Sequence, residues 1–312
     1  MTAPVRDVPP WLAAVLPGLR GDRLTTPAVA EVPPALLAAT ITTPATPIPT
    51  GVVAQLFGAG PKFRRTLPDL MASIPMSGGL LQVPTVVPGA NGATSHAEGF
   101  PKTEADLTFA GGTSRAASVA TWIGITDELL EDVPGLNAWL QLFLGQLVKQ
   151  AEERAILQGN GIATPIVGFM LHPDIPEVVP GAYNVPGMVT EMIAQATLAS
   201  GIVPDTIVIA SNIYVGLSSG NAVALDYDGR TFAGCDVIVS PALTAGQVLV
   251  GPVQALSVIG REGTTIIEGT RSHVNDFVQN KAAIRAASRL ALGVLMPTAF
   301  VRKSALDGPG TT

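Results

Sequence analysis

The sequence predicts an α+β fold, in which one long helix and several short strands form the body of the molecule. Apolar residues repeat with helical spacing between residues 136 and 155, and short apolar runs bounded by glycine and proline lie on both sides of that segment. Composition adds a third observation, since 47% of the 312 residues are hydrophobic and only 13% are charged. An average soluble domain has about 25% charged residues. The weakly polar surface of this chain is most easily explained if it contacts other subunits.

The long helix is the strongest element that the sequence predicts. Its apolar stripe follows i, i+3, i+4, i+7 spacing and consists of Leu136, Trp139, Leu140, Phe143, Leu144, Leu147, Val148, Ala151 and Ala155. Pro134 precedes the first turn, and Gly159-Asn160-Gly161 ends the last one. The opposite, polar face holds Gln146, Lys149, Gln150, Glu153 and Arg154.

A two-stranded β excursion is predicted between residues 78 and 126. A strand-like run from Leu80 to Val87 leads outward, and a segment from Ala105 to Thr126, rich in alanine, serine and threonine, returns. An isolated ribbon of this kind is marginally stable in water. The chain offers few bulky residues of its own to cover the ribbon, so we expect it to lie against another surface.

Residues 165–255 indicate a compact α/β region. It contains a helix from Met188 to Ala199 that stops at Gly201 and a buried strand over residues 206–210, which Ser211-Asn212 follows as the cap of a short helix. Further strands are predicted at 236–239 and 247–250. Residues 277–294 alternate with a period of two, although the spacing of their basic residues also fits a helix, and periodicity leaves both structures open.

Residues 1–50 are predicted to form an extended arm. Six prolines lie between residues 25 and 50, and Glu31 is the only charged residue there. This composition favours polyproline and β conformations and builds no core of its own. A disordered tail is the alternative. Prolines interrupt the first apolar stretch, so no signal peptide is expected, and no run approaches the roughly 20 apolar residues of a membrane span.

Residues suited to catalysis or metal binding are few and scattered. The single cysteine, Cys235, lies in an apolar run and is expected to be a small buried residue of a strand. The three histidines occur in separate loop-like contexts, at His96, His172 and His273. Paired carboxylates are expected to mark solvated faces or helix starts, and they occur at Asp127/Glu128, Glu131/Asp132 and Glu152/Glu153. We therefore predict no catalytic, cofactor-binding or metal site, and no cofactor.

The net charge of −6 argues against a general nucleic-acid binder, since no basic stripe stands out. A short basic cluster at Lys62, Arg64 and Arg65 is expected to be a solvated or subunit-facing patch. Any contact with DNA would then lack sequence specificity.

Two long stretches of the chain resemble a known family. The first begins with Gly-Ile-Thr-Asp-Glu-Leu-Leu-Glu-Asp at Gly124 and ends, after the long helix, with Glu-Glu-Arg-Ala-Ile-Leu-Gln-Gly-Asn-Gly at Gly161. The second contains Asp276-Phe277-Val278-Gln279-Asn280, then Arg-Leu-Ala-Leu at 289–292 and Met-Pro-Thr-Ala-Phe-Val at 296–301. Looser matches occur at 97–102, 233–240 and 249–251. In this order, over about residues 51–303, they resemble the major capsid proteins of tailed bacteriophages.

The resemblance implies an HK97-like capsid fold and assigns each segment to a part of it. These parts are an N-terminal arm at 1–50, a connection at 51–77, an E-loop β-hairpin at 78–126, a P-domain spine helix at 127–164, an α/β A-domain at 165–255, P-domain strands at 256–303 and a C-terminal tail at 304–312. Many family members carry a cleaved scaffolding segment at the N-terminus. The short leader before residue 51 makes such a segment unexpected here.

The resemblance also implies a shell subunit, not an enzyme. Such a subunit self-assembles into hexamers and pentamers of an icosahedral phage head that encloses double-stranded DNA. Its partners would be further copies of itself, a portal, and scaffolding or decoration proteins, with no membrane. It would be assembled in the host bacterial cytoplasm and located in the virion. An encapsulin-type nanocompartment shell is the alternative, and a small-molecule enzyme is a third hypothesis from another class.

Some members of this family form a covalent crosslink between a lysine and an asparagine of different subunits, assisted by a glutamate. Asn280 stands where the asparagine is expected, and Lys102 lies near the predicted E-loop tip. Ala287 occupies the position of the glutamate, so no crosslink is expected.

Noncovalent contacts would then hold the shell together. We expect a basic row to pair with carboxylates of an adjacent subunit, and this row consists of Lys281, Arg285 and Arg289. A simple exposed charged face is the alternative.

Overall fold

The computed structural model describes residues 63–88, 95, 98–99, 102–104, 107–132, 136–162, 164–179, 184–218, 230–263, 265–270 and 279–304. The predicted arm at 1–50 and most of the predicted ribbon tip lie outside these residues. The described chain divides into two compact units. The smaller unit contains Ala120–Val148 and Thr264–Ser288, and the larger contains Arg64–Val119, Lys149–Gly263 and the chain from Arg289 onward.

The strands and helices are numbered in chain order. The strands are β1 (Ala72–Pro75), β2 (Leu80–Pro88), β3 (Leu107–Arg115), β4 (Ala117–Thr126), β5 (Thr206–Ile209), β6 (Thr231–Phe232), β7 (Cys235–Val239), β8 (Val248–Gly251), β9 (Ser257–Arg261), β10 (Ile266–Thr270), β11 (Lys281–Val294) and β12 (Val301–Lys303). The α-helices are α1 (Asp127–Asp132), α2 (Leu136–Gln158), α3 (Val185–Ser200), α4 (Ser211–Ser218) and α5 (Val253–Leu256). Short 3₁₀ helices occur at Leu67–Asp69, Phe169–Leu171 and Pro297–Ala299.

A five-stranded sheet in the order β12-β8-β5-β7-β6 organises much of the larger unit. Its central strand β5 pairs parallel with β7 and antiparallel with β8, and all four of its residues are buried. Such a strand needs apolar residues on both faces, which the run Thr-Ile-Val-Ile supplies. The strands predicted at 206–210, 236–239 and 247–250 correspond to β5, β7 and β8. One strand, β12, comes from the end of the chain and pairs with β8.

Helices α3 and α4 pack against this sheet. Asn184 caps α3 by accepting a hydrogen bond from the amide of Gly187 at 3.0 Å, and Gly201 ends the helix at a φ of 70°. That left-handed conformation favours glycine, and the predicted stop is confirmed. The predicted cap Ser211-Asn212 is wrong, because the helix itself begins at Ser211. Asn212 instead accepts a hydrogen bond from the amide of Gly246 at 3.2 Å, which attaches the first turn to a neighbouring loop.

The larger unit also contains β1, β9 and the second part of β11. Strand β1 pairs parallel with β9, which pairs antiparallel with β11 from Leu290 to Val294. The core beside these strands includes two aromatic residues in contact, Phe169 and Phe300, with ring centroids 5.2 Å apart and ring planes tilted by 38°. The predicted alternation of residues 277–294 is therefore that of a strand over Lys281–Val294, and the helical alternative is excluded there.

The smaller unit combines α1, the first part of α2 and strands of a second sheet. Strand β10 pairs antiparallel with the first part of β11, so that Ile266 lies opposite Ala287 and Glu268 opposite Arg285. Strand β4 also pairs with β11. The segment that returns from the predicted excursion is thus two strands and not one, because only β3 pairs with β2.

Helix α2 confirms the long predicted helix but corrects its polar face. It runs for 23 residues and ends at Gln158, before Gly159. Ala151, predicted in the apolar stripe, is exposed, whereas Gln146 and Glu153, predicted on the polar face, are buried. The second half of the helix is partly covered on both faces. A single apolar stripe therefore does not describe which of its residues are buried.

Candidate assembly surface

The ribbon formed by β2 and β3 presents apolar side chains to solvent. Its nine residue pairs run in register from Leu80 opposite Arg115 to Pro88 opposite Leu107. Toward the outer end, Val87, Leu107 and Phe109 are 49%, 55% and 64% exposed. About half or more of each of these side chains is therefore open to solvent. Strand β3 is exposed or half-buried along its whole length, so this apolar surface is available to a neighbour.

One face of β2 at the inner end of the same ribbon is covered by its own unit. Leu81 and Val83 are buried in a small apolar cluster with Met76 and Ala291. The amide of Val86 also donates to the carbonyl of Leu295 at 2.6 Å. The expectation that the chain cannot cover its ribbon is therefore wrong for the inner end, where the side chains of β2 pack on β9 and β11. Among the described residues, β2 is therefore attached to its unit from Leu81 to Val86, whereas β3 stays exposed or half-buried.

The basic row on β11 has partners within the chain. Arg285 Nη2 lies 2.8 Å from Glu268 Oε2, and Arg289 Nη1 lies 2.8 Å from Glu262 Oε2. Lys281 donates to the side-chain carbonyl of Gln279 at 2.8 Å. All of these groups are half-buried or exposed, so these contacts hold the side chains loosely. Contacts with a second subunit by this row stay a prediction.

The residues expected around a crosslink occupy different kinds of position in the structure. Asn280 adopts a φ of 49°, and its carbonyl accepts a hydrogen bond from the amide of Asp127 at 2.9 Å. A left-handed conformation is tolerated by asparagine, and this one forms the turn that begins β11. Ala287 lies on β11 opposite Ile266. Lys102 is exposed and lies in no strand.

Two buried carboxylates on α2 are the functional groups that sequence reasoning missed. Glu152 and Glu153 were predicted to be solvated, yet both side chains are at most 1% exposed. Arg261 Nη1 and Nη2 donate hydrogen bonds to Glu152 Oε1 and Oε2, at 2.8 and 2.9 Å. Hydrogen bonding to this carboxylate raises the pKa of Arg261 although burial opposes the rise. A buried carboxylate needs such a partner, because an unpaired one costs several kcal/mol.

Glu153 has a different set of partners. Both guanidinium nitrogens of Arg64 contact its two carboxylate oxygens, and the amide of Leu67 donates to Oε1 at 3.1 Å. Arg64 was expected in a solvated or subunit-facing basic patch, but it is half-buried against helix α2. Arg65 fits that expectation better, since it is exposed and lies 3.5 Å from Asp236.

A signal for these pairs was present in the sequence. Two adjacent glutamates lie in the C-terminal half of α2, just before the buried residues Ala155, Ile156 and Leu157. Because neighbouring residues on a helix point in different directions, at least one of them faces covered surface. The partners, far away in sequence, gave no signal.

The remaining described side chains that could take part in chemistry, Cys235 and His172, lie on separate elements. Cys235 is buried as predicted, and burial raises the pKa of its thiol. Burial likewise lowers the pKa of His172, whose Nδ1 lies 4.0 Å from a carboxylate oxygen of Asp174. His96 and His273 lie outside the described residues. Across the ranges described, no three His, Cys, Asp or Glu residues form a cluster that could hold a metal ion. None of the described helices is long and apolar enough to cross a bilayer.

Comparisons with known proteins agree with this architecture. The model of the phage capsid family matches residues 48–303. The major capsid protein of Enterobacteria phage HK97 is 26% identical over 263 residues, which are 78% of this chain and 66% of that protein. The chain therefore spans just under two thirds of that relative's length.

Solved structures show the same fold at low sequence identity. A chain of Mycobacterium phage Adephagia superposes with a TM-score of 0.60 and 16% identity over 85% of this chain and 100% of that one. The virus-like particle from Pyrococcus furiosus gives a TM-score of 0.56 and 12% identity over 81% and 96%. The long helix, the ribbon attached through β2 and the mixed sheets are thus the HK97-like capsid fold, and the chain belongs to the phage capsid family.

Proposed function

We propose that this chain is a major capsid protein that self-assembles into hexamers and pentamers of an icosahedral phage head. Such shells close because each subunit offers different surfaces to different neighbours, and the rotation between them completes rings. In this proposal the protein is assembled in the bacterial cytoplasm and is located in the virion. A portal and scaffolding or decoration proteins would complete the head.

The observation that carries this proposal is the exposed apolar end of the β2/β3 ribbon. Its inner end is fixed on the larger unit by Leu81 and Val83, while Leu107 and Phe109 remain largely exposed. A two-stranded ribbon gains stability when one face packs against another surface. A second copy of the chain supplies that surface in a shell, where burying each large apolar side chain contributes about 1.5–3 kcal/mol.

We propose that the segments predicted from the sequence correspond to the parts of the capsid fold. We assign residues 78–126 to the E-loop, 127–164 to the spine helix, 165–255 to the A-domain and 256–303 to P-domain strands. Within this scheme the inter-subunit contacts involve Lys102, Lys281, Arg285 and Arg289. The crosslink is not part of the proposal, because Ala287 provides no carboxylate.

The proposed content of the shell is double-stranded DNA, held without sequence-specific contacts. The net charge of −6 supports this, since a strongly basic wall would bind the phosphate backbone tightly. A shell that encloses protein cargo is the second candidate, favoured by the likeness to the virus-like particle from Pyrococcus furiosus. Family membership and the relative from phage HK97 favour the phage head.

Two sets of measurements test the proposal. Negative-stain electron microscopy and sedimentation velocity of the purified full chain are expected to show closed shells with five- and six-fold clusters. A stable, well-ordered monomer at all accessible concentrations overturns the proposal. For shells isolated from producing cells, the ratio of absorbance at 260 and 280 nm and nuclease-protected DNA separate a DNA-filled head from a protein-filled compartment.

A further inference from the structure

Two glycines in the sheet of the larger unit make room for the side chains of β2. A methyl group at Gly293 of β11 would lie 2.6 Å from Val83 Cγ2, and one at Gly260 of β9 would lie 3.0 Å from Leu81 Cδ1. We call these two positions, Gly260 and Gly293, the glycine seat. Leu81 and Val83 come this close to the backbone of the sheet because neither glycine carries a side chain.

The turn that begins the ribbon makes an equally close contact with Arg289. Gly78 and Gly79 have φ angles of 75° and 73°, in the left-handed region that favours glycine. Arg289 Nη2 lies 2.6 Å from the point where a side chain of residue 79 would begin, so the guanidinium rests on the bare backbone of Gly79. The second nitrogen, Nη1, donates to Glu262 Oε2 at 2.8 Å, which keeps the guanidinium over the turn.

The same contact reaches the returning strand of the ribbon. The carbonyl of Gly79 accepts a hydrogen bond from the amide of Ala116 at 2.9 Å, directly after the end of β3. Arg289 in turn belongs to β11, the strand that carries Gly293. Arg289 and the glycine seat therefore hold the base of the ribbon on one sheet, through the turn and through one face of β2.

We propose that Arg289 is a positioning residue for assembly, which together with the glycine seat fixes the direction of the β2/β3 ribbon in the free subunit. This role rests on the proposed function, in which the ribbon contacts a second copy of the chain. A ribbon that already has one direction loses less conformational entropy on binding than a ribbon that swings. Arg289 then acts within its own subunit, in addition to any contact with a neighbour.

Amide hydrogen exchange measures the direction-fixing contact in the full chain, kept below the concentration at which shells form. R289A removes the guanidinium from Gly79, and we expect exchange at the amide of Ala116 to become about tenfold or more faster. R285A is the matched control, because it removes a similarly exposed guanidinium from the same strand, where Arg285 pairs with Glu268 instead. We expect R285A to leave exchange at Ala116 unchanged, and both variants to keep the urea-unfolding midpoint of the parent chain.

Two glycine variants separate the contact with Arg289 from backbone strain. G79A and G78A both place alanine at a positive φ, which destabilises the turn. At Gly79 the new methyl group would also displace the guanidinium, whereas at Gly78 it would meet no atom of the described, non-adjacent residues within 4 Å. We therefore expect the effect of R289A on exchange at Ala116 to vanish in the G79A background and to persist in the G78A background.

Shell formation by R289A completes the test. We expect the protein concentration needed for shells, measured by light scattering and electron microscopy, to rise by about tenfold or more. Unchanged exchange in R289A overturns the positioning role, as does an undiminished effect of R289A in the G79A background. Normal assembly of R289A despite faster exchange overturns its importance for assembly. If the unchanged chain forms no shells, the proposed function fails, while the exchange rates still decide whether Arg289 holds the ribbon.

Discussion

Arg285 and Glu268 face each other across the antiparallel strands β11 and β10, with Nη2 and Oε2 2.8 Å apart. Their side chains are 59% and 56% exposed. An ion pair so open to solvent contributes about 0–1 kcal/mol to folding. Arg289 and Glu262 form a similar exposed pair. The basic row therefore contributes little to the stability of the fold. Its side chains are available for contacts between subunits.

Removing the row tests that role. We expect K281A/R285A/R289A to leave the urea-unfolding free energy of the subunit within about 1–2 kcal/mol while weakening shells against salt and heat. Sedimentation of assembled material at increasing NaCl measures the effect. Full, normally stable shells from the triple variant would remove the idea that these residues pair across subunits.

The exposed end of the ribbon gives a second test. L107S/F109S removes apolar side chains that are more than half exposed, so we expect unchanged subunit stability and a strong loss of assembly. L81A is the control, since it truncates a buried side chain at the inner end and costs about 2–3 kcal/mol in folding. Assembly by L107S/F109S at normal concentrations contradicts the proposed role of the ribbon.

The Glu152–Arg261 pair predicts a large effect on stability. R261M deprives a carboxylate at 1% exposure of its guanidinium partner, and we expect a loss of about 3 kcal/mol. Urea denaturation monitored by circular dichroism measures it. R285M, which breaks an exposed pair, serves as the comparison and should cost less than about 1 kcal/mol. Equal losses from the two variants would refute the assignment of a buried pair.

Asp69 predicts a dependence of stability on pH. Burial raises the pKa of this carboxyl, but hydrogen bonds from Lys149 and Thr66 outweigh it, and the net pKa is lowered from 3.8. A lowered pKa means that the stabilising contribution is complete above about pH 4 and is lost as the pH falls through the lowered value. We expect wild type to exceed D69N in thermal midpoint at pH 7, and the difference to shrink as the pH is lowered from 7 toward 3. K149M should show a weaker form of the same trend, and a constant difference across this range contradicts it.

Most elements of the fold were accessible from the sequence, because hydrophobic periodicity and glycine or proline stops are local signals. Helix α2, the stop at Gly201, the buried strand β5 and the alternation of β11 were predicted correctly for this reason. The division of residues 105–126 into β3 and β4 was missed. Strand pairing depends on partners far away in sequence, and β4 pairs with β11, more than a hundred residues later.

The buried ion pairs could not be predicted from local patterns in the sequence. Glu153 was placed on the polar face of α2 because helical spacing puts it opposite the apolar stripe. Its burial is made possible by Arg64, 89 residues away, and no pattern in the sequence connects the two. The assembly surface was predicted by composition and resemblance, whereas its anchored inner end required the positions of Leu81 and Val83 in space.

The ribbon also bears on the behaviour of newly made, unassembled chains. A free two-stranded ribbon offers backbone donors and acceptors to any other strand, which invites disordered fibrous deposits. Strand β2 has proline at positions 84 and 88, and neither proline has an amide hydrogen to offer; Pro84 lies opposite Gly111. Proline interrupts continuous edge pairing. We therefore expect Pro84 and Pro88 to limit edge-to-edge pairing between the ribbons of free chains.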